Sequence, residues 1–364
     1  MKINYIIEDF SIFGGIERIV SQKASILASE YGHEVTIISV YKDNRPVRYN
    51  LDNKVNVIYL NVPMARKNKN PLIRTAYRIA TLAKAAKELN KNIKKTSPDI
   101  IFFTTTLGAL LLPFCRTKAK KIYESHLARN FTPYHKLFFL MEHKADMVVC
   151  LTKGDANNYG KVRNVTVIPN FIENNWQAVH DYSAKKAIAI GRLEYQKGFD
   201  ILIDCWKNVA AKHPDWHLDI WGEGSLRNKL QNQINSLGIK DKITLCGTCN
   251  NMSEKYAEYS VHLMTSRYEG QGIVLMEAQA AGLPSVVFDY QYGAREIIKD
   301  GITGFVIEQG CANLFTTVVE RVLSDVSLRT RQGYNARQNA KAFYTENIMD
   351  KWQKLIIDII DNRK

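Results

Sequence analysis

The sequence predicts an α/β protein made of two doubly wound domains, each a parallel sheet with helices on both faces. The chain has 364 residues, which is enough for two domains of ordinary size. Short apolar runs typical of buried strands alternate with segments of helical periodicity along most of its length. A polar stretch near the middle separates two such series of strands.

The strands of the first domain are predicted at 3–7, 35–40, 55–60, 100–103 and 121–124. Those of the second are predicted at 187–190, 218–221, 243–246, 261–264 and 285–288, and the tail after residue 313 shows helical patterns only. We therefore divide the chain into a first domain (1–170), a linker (171–184), a second domain (185–344) and a C-terminal helix (345–364) that could return to the first domain. Two such domains place the open ends of their sheets at one cleft, where doubly wound folds bind ligands.

Composition is that of a globular protein with one basic half. Hydrophobic residues make up 46% and charged residues 24%, which excludes the disordered, collagen-like and coiled-coil classes. The formal net charge is +14, yet residues 1–180 hold 27 Lys and Arg against 14 Asp and Glu, while residues 181–364 hold 23 against 22. Nearly all of the excess positive charge therefore lies in the first half of the chain, and an acidic surface or polyanionic partner is expected for its most basic segment, residues 64–95.

The compartment is predicted to be the cytoplasm. Six scattered cysteines favour a reduced protein over a disulfide scaffold. The first apolar run, residues 3–7, is too short for a signal peptide. The longest charge-free stretch, 100–115, has 16 residues, fewer than a bilayer span needs.

A pair of glycines follows the first strand. Gly14 and Gly15 open a helix, so the backbone there can approach an anion at the helix N-terminus. An ordinary tight turn is the alternative, because two glycines alone are weak evidence. The three-glycine dinucleotide motif and the phosphate-binding loop of triphosphatases are both absent from the sequence.

Two cations follow the first strand of the second domain. Arg192 and Lys197 lie on one predicted loop, and an Arg fork with a Lys point charge suits a diphosphate. Two solvated surface cations are the alternative. Gly222 and Glu223 end the next strand in the same way and are expected at the same edge of the sheet.

The densest set of chemical signals occupies residues 266–278. Gly270 and Gly272 leave bare N–H groups at the start of a helix predicted near Ile273, a second anion site. Glu269 precedes this helix and Glu277 lies inside it, up to roughly 12 Å away at 1.5 Å per residue. Retaining hydrolases hold their two carboxylates about 5 Å apart, so these two are not expected to act as acid and nucleophile.

This segment resembles the family-four retaining glycosyltransferases of the GT-B fold, whose hallmark is two glutamates with seven residues between them, here Glu269 and Glu277. Gln271-Gly272 stands where the family often has an aromatic residue or Phe-Gly, a difference at the donor sugar pocket. The resemblance extends along the chain to Gly14-Gly15-Ile16-Glu17-Arg18, Ser125-His126, Val167-Ile168-Pro169-Asn170, Arg192 with Lys197, Gly222-Glu223-Gly224, Cys246-Gly247-Thr248 and Gly293-Ala294-Arg295-Glu296.

The resemblance implies a first domain for the acceptor and a second for the nucleotide sugar, with Glu269 near the donor sugar and Glu277 on the ribose hydroxyls. A lone His is more often structural, but the family match makes His126 a functional candidate. The expected catalytic residues are His126, Arg192, Lys197 and Glu269. The expected donor contacts are Gly15, Arg192, Lys197, Gly222, Glu223, Thr248, Glu269, Gly270, Gln271, Gly272, Ile273, Val274 and Glu277.

Neither a metal ion nor another cofactor is expected. Cys246 and Cys249 have the spacing of metal ligands, but the chain has no second pair. The sequence also contains no Asp-x-Asp, in agreement with a metal-independent transferase.

Residues 64–95 carry ten basic side chains and one acid, a net charge of +9. Helical periodicity predicts a buried stripe formed by Leu72, Ile79, Leu82, Ala86, Leu89 and Ile93. The opposite face carries Ile73, Tyr77, Lys84, Lys87, Lys91 and Lys95. An anionic membrane surface, or the pyrophosphate of a lipid-linked acceptor, is the predicted partner of this face, and a solvated charged face is the alternative.

The sequence therefore predicts a retaining hexosyltransferase that moves a sugar from a nucleotide-diphosphate donor to a lipid-linked saccharide or related membrane-surface acceptor. A UDP-sugar is the expected donor, and a peripheral position on the inner face of the cell membrane is the expected location. A nucleotide-sugar epimerase or phosphorylase on the same fold is the first alternative, and a nucleic-acid-binding protein that uses the basic half is the second. Nucleic acid is not an expected partner, because Tyr77 is the one aromatic residue in the basic segment.

Overall fold

The computed structural model describes residues 1–361 except for 13, 42–48, 65–69, 161, 163, 179–180 and 250. The chain forms two compact units. The first comprises Met1–Pro169 together with Ile348–Lys364, and the second comprises Asn170–Asn347. The C-terminal helix thus belongs to the first unit.

Each unit contains one parallel sheet. The first sheet has the strand order β3-β2-β1-β4-β5-β6-β7 and the second has the order β10-β9-β8-β11-β12-β13. The strands are β1 (Lys2–Ile7), β2 (Glu34–Ser39), β3 (Asn56–Tyr59), β4 (Ile100–Phe103), β5 (Lys120–Ser125), β6 (Met147–Cys150), β7 (Val165–Val167), β8 (Lys186–Ile190), β9 (His217–Trp221), β10 (Ile243–Gly247), β11 (Val261–Met264), β12 (Ser285–Phe288) and β13 (Gly304–Ile307).

Helices connect the strands and cover the sheets. In the described residues they are α1 (Gly15–Ser29), α2 (Pro71–Thr96), α3 (Thr105–Leu111), α4 (Phe138–Glu142), α5 (Lys153–Ala156), α6 (Phe199–Lys212), α7 (Arg227–Ser236), α8 (Met252–Lys255), α9 (Ile273–Ala280), α10 (Ala294–Ile297), α11 (Ala312–Ser324), α12 (Val326–Ala340) and α13 (Thr345–Asp361). The predicted fold class, two doubly wound α/β sheets with a helical tail, is confirmed.

The central strands are buried on both faces, as their continuous apolar sequences predict. All four residues of β4 are buried, and so are all four of β11. In the first unit the C-terminal helix packs on the core. The Trp352 and Phe102 rings meet edge-on there, with their centres 5.7 Å apart.

The expected linker, residues 171–184, is not a free connection in the part of it that the structure describes. Ile172 pairs with Tyr344 in an isolated bridge, and the Tyr182 hydroxyl donates to the Gly282 carbonyl at 2.7 Å. The guanidinium of Arg329 donates to the Tyr182 carbonyl. This polar stretch therefore packs within the second unit. The contacts of Tyr182, and not a strand, hold it there.

The predicted buried stripe of α2 is wrong in its first half. Leu72 is 81% exposed and Ile79 is 64% exposed, whereas Leu89 and Ile93 are buried as predicted. Residues 71–80 are all exposed, because the first turns of α2 have no core beneath them. Three basic residues of the segment, Arg66, Lys67 and Lys69, lie outside the described residues.

Candidate functional site

The candidate site of the second unit lies at the carboxyl edge of its sheet. The chain builds β8, β9 and β10 outward in one direction and then returns to place β11 on the other side of β8. Doubly wound folds bind ligands at such a switch point. The loops after these two adjacent strands carry Arg192 and Lys197 on one side and Glu269 on the other.

The structure brings Lys197 and Glu269 together. The Lys197 ammonium donates to a Glu269 oxygen at 2.7 Å, and the two side chains are 13% and 9% exposed. Glu269 also accepts hydrogen bonds from the Ser266 hydroxyl at 2.7 Å and from the Gln196 amide at 3.2 Å. These three donors hold the Glu269 carboxylate in one orientation.

Arg192 lies on the same loop and is exposed. Its guanidinium contacts the Gln196 side-chain oxygen at 3.3 Å. Gln196 therefore touches both Arg192 and Glu269, and it is a site residue that the sequence analysis did not single out. The Arg192 side chain remains exposed to solvent.

Glycines allow the ends of β8 and β9 to approach closely. A Cβ on Gly222, whose φ is +141°, would overlap the carbonyl oxygen of Gly191. Glu223 pairs with Arg227 at 2.8 Å on the exposed side of this turn, and Thr248 is exposed directly after β10. The predicted donor residues of these two loops therefore follow neighbouring strands at the same edge.

Two side chains, those of Gln271 and Tyr290, anchor the Gly270–Gly272 segment through hydrogen bonds. The Gln271 side chain is 1% exposed, and its oxygen accepts the Asn170 backbone N–H at 2.8 Å. The Tyr290 hydroxyl donates to the Gln271 carbonyl at 2.7 Å and stands where a Cβ on Gly272 (φ +100°) would lie. The Gln271 side chain and carbonyl thus both make buried hydrogen bonds that fix this segment.

Helix α9 begins at Ile273, as predicted. Among the described residues no side chain caps its N-terminus, so the first N–H groups, including those of Ile273 and Val274, are presented as a helix start presents them. Glu277 lies one turn inside the helix and is 6% exposed, with the Tyr256 hydroxyl 3.3 Å from its carboxylate. Glu269 and Glu277 therefore occupy different positions, one before the helix and one within it.

A buried histidine lies beneath this site and was missed. His262 on β11 has no exposed surface, and its Nδ1 is 3.2 Å from the Ser285 hydroxyl. Burial, and secondarily the charge of Lys197, lowers its pKa to about 3. His262 is thus neutral next to the Lys197 ammonium, and no sequence motif marks it.

In the first unit, the Glu17 side chain lies beside the glycines of the predicted anion site. Gly15 is the first residue of α1 and Gly14 is its N-cap. The Glu17 carboxylate folds back onto Gly14, close to where a Cβ on that glycine would stand. A carboxylate over a helix N-terminus offsets the positive end of the helix dipole, so an anion would have to displace it.

His126 follows β5 at the carboxyl edge of the first sheet. Its Nε2 lies 3.1 Å from a Glu124 oxygen, and its side chain is 5% exposed. The same carboxylate is bound by the Lys23 ammonium at 2.6 and 2.7 Å. Neither Lys23 nor Glu124 was singled out from the sequence, since they are separated by 101 residues.

The basic face of α2 is exposed as predicted, at Lys84, Lys87, Lys91 and Lys95. Exposed apolar side chains precede it, with Ile73 at 42% and Tyr77 at 36%. Arg78 of the same turns donates to the Tyr134 hydroxyl. Next to Tyr134 along the chain, further large apolar side chains are exposed, namely Leu137, Phe139 and Leu140.

Comparison with known proteins shows the family to which the chain belongs. The family model described as glycosyl transferases group 1 matches residues 170–339, which contain the whole candidate site of the second unit. An amylovoran biosynthesis glycosyltransferase of Erwinia amylovora is 31% identical over 98% of this chain and 99% of its own length.

The chain belongs to the group 1, or family-four, glycosyltransferases.

One further relative and one solved structure are similar to this glycosyltransferase over nearly their whole lengths. An alpha-1,4-N-acetyl-D-galactosaminyltransferase of Campylobacter jejuni, named for a diNAcBac-PP-undecaprenol-linked acceptor, is 28% identical over 99% of both chains. A crystal structure of S. aureus TarM in complex with fondaparinux, alpha-GlcNAc-glycerol and UDP superposes with a TM-score of 0.80 at 16% identity, covering 97% of this chain and 99% of that chain. The GT-B fold class predicted for this glycosyltransferase is thereby confirmed.

Two further properties of the glycosyltransferase concern metals and membranes. Within the described ranges, no group of three His, Cys, Asp or Glu side chains could hold a metal ion, and Cys246 and Cys249 carry free thiols. No helix among those residues is long and apolar enough to cross a bilayer.

Proposed function

We propose that this glycosyltransferase transfers a hexose from a UDP-sugar to a lipid-linked saccharide or related membrane-surface acceptor, with retention of the anomeric configuration. The observation that carries the donor part is the Lys197–Glu269 pair at the sheet switch point, beside the uncapped start of α9. A cation, a fixed carboxylate and free N–H groups at one edge are what a sugar diphosphate needs.

In this proposal the diphosphate binds between Arg192, Lys197 and the α9 N-terminus. Lys197 then exchanges part of its contact with Glu269 for a phosphate oxygen, which releases Glu269 to accept a hydroxyl of the donor sugar. Glu277, one turn inside α9, accepts the ribose hydroxyls. His126 is proposed to contact the reacting sugar.

The chemical step balances without a protein nucleophile. The acceptor hydroxyl oxygen bonds to the anomeric carbon on the face from which the nucleoside diphosphate departs. The bond between that carbon and the phosphate oxygen breaks, its electron pair stays on the phosphate, and the acceptor proton passes to the same phosphate group. The negative charge that develops on the leaving group is what Arg192 and Lys197 would stabilise.

The acceptor part rests on α2. Its lysines are exposed, and the apolar side chains at its start are exposed as well, a combination that suits an interface with anionic lipid headgroups. The Campylobacter relative is named for an undecaprenol-linked acceptor. We propose that α2 holds this enzyme on the inner face of the membrane, where such acceptors are presented.

Thermal shift with UDP-, GDP- and ADP-sugars, followed by proton NMR of the first product, tests this function. We expect stabilisation by UDP-sugars and a product that keeps the donor's anomeric configuration. An inverted product contradicts the mechanism, and stabilisation by GDP- or ADP-sugars alone contradicts the donor. Release of an altered sugar nucleotide without an acceptor would favour an epimerase.

A further inference from the structure

Beneath His126, three side chains from distant parts of the first unit form a buried stack. Lys23 comes from α1, Glu124 from the end of β5 and Trp352 from α13. The Lys23 ammonium lies 3.7 Å from the centre of the Trp352 ring and binds both oxygens of Glu124. The Lys23 and Glu124 side chains are 1% and 3% exposed, so water does not screen their interaction.

This arrangement determines the state of the carboxylate. Burial alone would raise the pKa of Glu124, but the Lys23 ammonium and the hydrogen bond from His126 outweigh burial, and the pKa lies below its usual value. Glu124 is therefore ionised and can only accept hydrogen bonds. The His126 Nε2, 3.1 Å away, must carry a proton to make this contact.

Stability alone does not account for such a group. Removing two charges from water costs about as much as their attraction returns, so an apolar pair of the same volume would serve the core equally well. The charged pair ends at a histidine on the carboxyl edge of the sheet, where ligands of these folds bind. Its specific effect is on that histidine, whose ring orientation and protonated nitrogen it sets.

We propose that Lys23, Glu124 and Trp352 are positioning residues that hold His126 in the Nε2–H form with Nδ1 directed to the reaction. The inference rests on the proposed role of His126. It adds that α13, the last helix of the chain, acts on the reaction through Trp352, Lys23 and Glu124.

The first test reads the tautomer of His126 by ¹⁵N NMR at a pH where the imidazole is neutral. In Glu124→Gln the single side-chain oxygen accepts the hydrogen bond from Lys23. The amide NH2 then points toward His126, so Nε2 must accept a hydrogen bond from it. We therefore expect the wild type to show Nε2–H and Glu124→Gln to show Nδ1–H. In Lys23→Met/Glu124→Gln the ammonium is gone, so the amide oxygen can accept a hydrogen bond from His126. The Nε2–H form should therefore return.

A matched control removes another buried carboxylate of the same unit. Glu142 is 2% exposed and pairs with Arg129 at 2.7 Å, without a contact to His126 among the described residues. Glu142→Gln should keep the wild-type tautomer. Trp352→Phe should keep it too, whereas Trp352→Leu, which lacks an aromatic face for the ammonium, should populate both forms. An Nε2–H ring that persists in Glu124→Gln overturns the inference.

The second test is a double-mutant cycle on kcat. Glu124→Gln should lower kcat at least about tenfold in the wild-type background and less than about twofold when His126 is Ala, because its effect passes through the histidine. Equal losses in both backgrounds would show a merely structural role and overturn the positioning. An unchanged kcat in His126→Ala alone would instead overturn the role of His126 in the proposed function. The tautomer measurement would still show whether Lys23, Glu124 and Trp352 hold the His126 ring in the Nε2–H form.

Discussion

The Lys197 ammonium lies 2.7 Å from the Glu269 carboxylate, although 72 residues separate them in the chain. The contact exists because β8 and β11 are neighbours in the sheet, so the loops that follow them meet. Within this pair, the positive charge of Lys197 and the negative charge of Glu269 offset each other. A diphosphate that takes over the ammonium would therefore also change the hydrogen bonding of Glu269.

Lys197→Ala and Arg192→Ala should each lower kcat by about tenfold or more, a loss of at least about 1.4 kcal/mol. The reason is that both cations face charge that grows as the leaving group departs. Steady-state kinetics with the UDP-sugar is the measurement. Lys212→Ala, which removes a surface pair with Glu320, is the control and should be neutral. A raised KM with unchanged kcat would mean that the cations only bind the donor.

Glu277→Ala should weaken UDP binding by at least about tenfold, because a lost charge-assisted hydrogen bond costs roughly 1.5–3 kcal/mol. Isothermal titration calorimetry with UDP measures this directly. Tyr256→Phe removes the hydroxyl that contacts Glu277 but keeps the carboxylate, so its effect should be smaller. Wild-type affinity in Glu277→Ala would exclude this residue from the ribose.

Changing Lys84, Lys87, Lys91 and Lys95 to Gln should weaken binding to anionic vesicles at least about tenfold, since each lysine near such a surface contributes about 1 kcal/mol. Wild-type binding should also fall with salt. Co-sedimentation is the measurement, together with turnover on a soluble and on a lipid-linked acceptor.

The control for this variant is the same charge change in the second unit, at the exposed residues Lys207, Lys229, Lys240 and Lys299. It should bind vesicles like the wild type. If the α2 variant sediments like wild type and uses both acceptors equally well, α2 is only a solvated face.

His262 should make stability fall in mild acid. The pKa of His262 is about 3 in the folded protein and about 6.5 in the unfolded chain. Below pH 6.5 the unfolded chain therefore binds a proton that the folded protein does not bind. From about pH 7.5 to about pH 5.5 this lowers the free energy of unfolding by about 1.4 kcal/mol. Urea unfolding of His262→Gln should show that much less pH dependence, while the exposed His143→Gln should match wild type. Equal slopes in His262→Gln and wild type would contradict the assignment.

The strands that the sequence predicted are the apolar runs with clear boundaries, and all ten are present. The three that it missed, β6, β7 and β13, are four residues or fewer, and β13 begins with a glycine. For α2, periodicity identified a face but not how far the core extends along the helix. That is why Leu72 and Ile79 are exposed.

The candidate site was predictable as a set of residues but not as a set of contacts. Arg192, Lys197 and Glu269 follow strand ends, which a sequence reveals, while the pairing of Lys197 with Glu269 depends on strand order. Gln271 is predicted to contact the donor, and the sequence did not reveal that its side-chain oxygen accepts the Asn170 backbone N–H. Lys23 and Trp352 could not be found, because a buried cation under an aromatic ring leaves no local pattern.

Helix α13 completes the first unit with residues that follow the whole of the second unit in the chain. During synthesis the ribosome therefore releases all of 170–347 before the helix that covers Lys23 is available. Until then the Lys23 ammonium on α1 lacks the Trp352 ring that lies against it in the folded protein. The core of the first unit can therefore be complete only after the residues of the second unit have been synthesised.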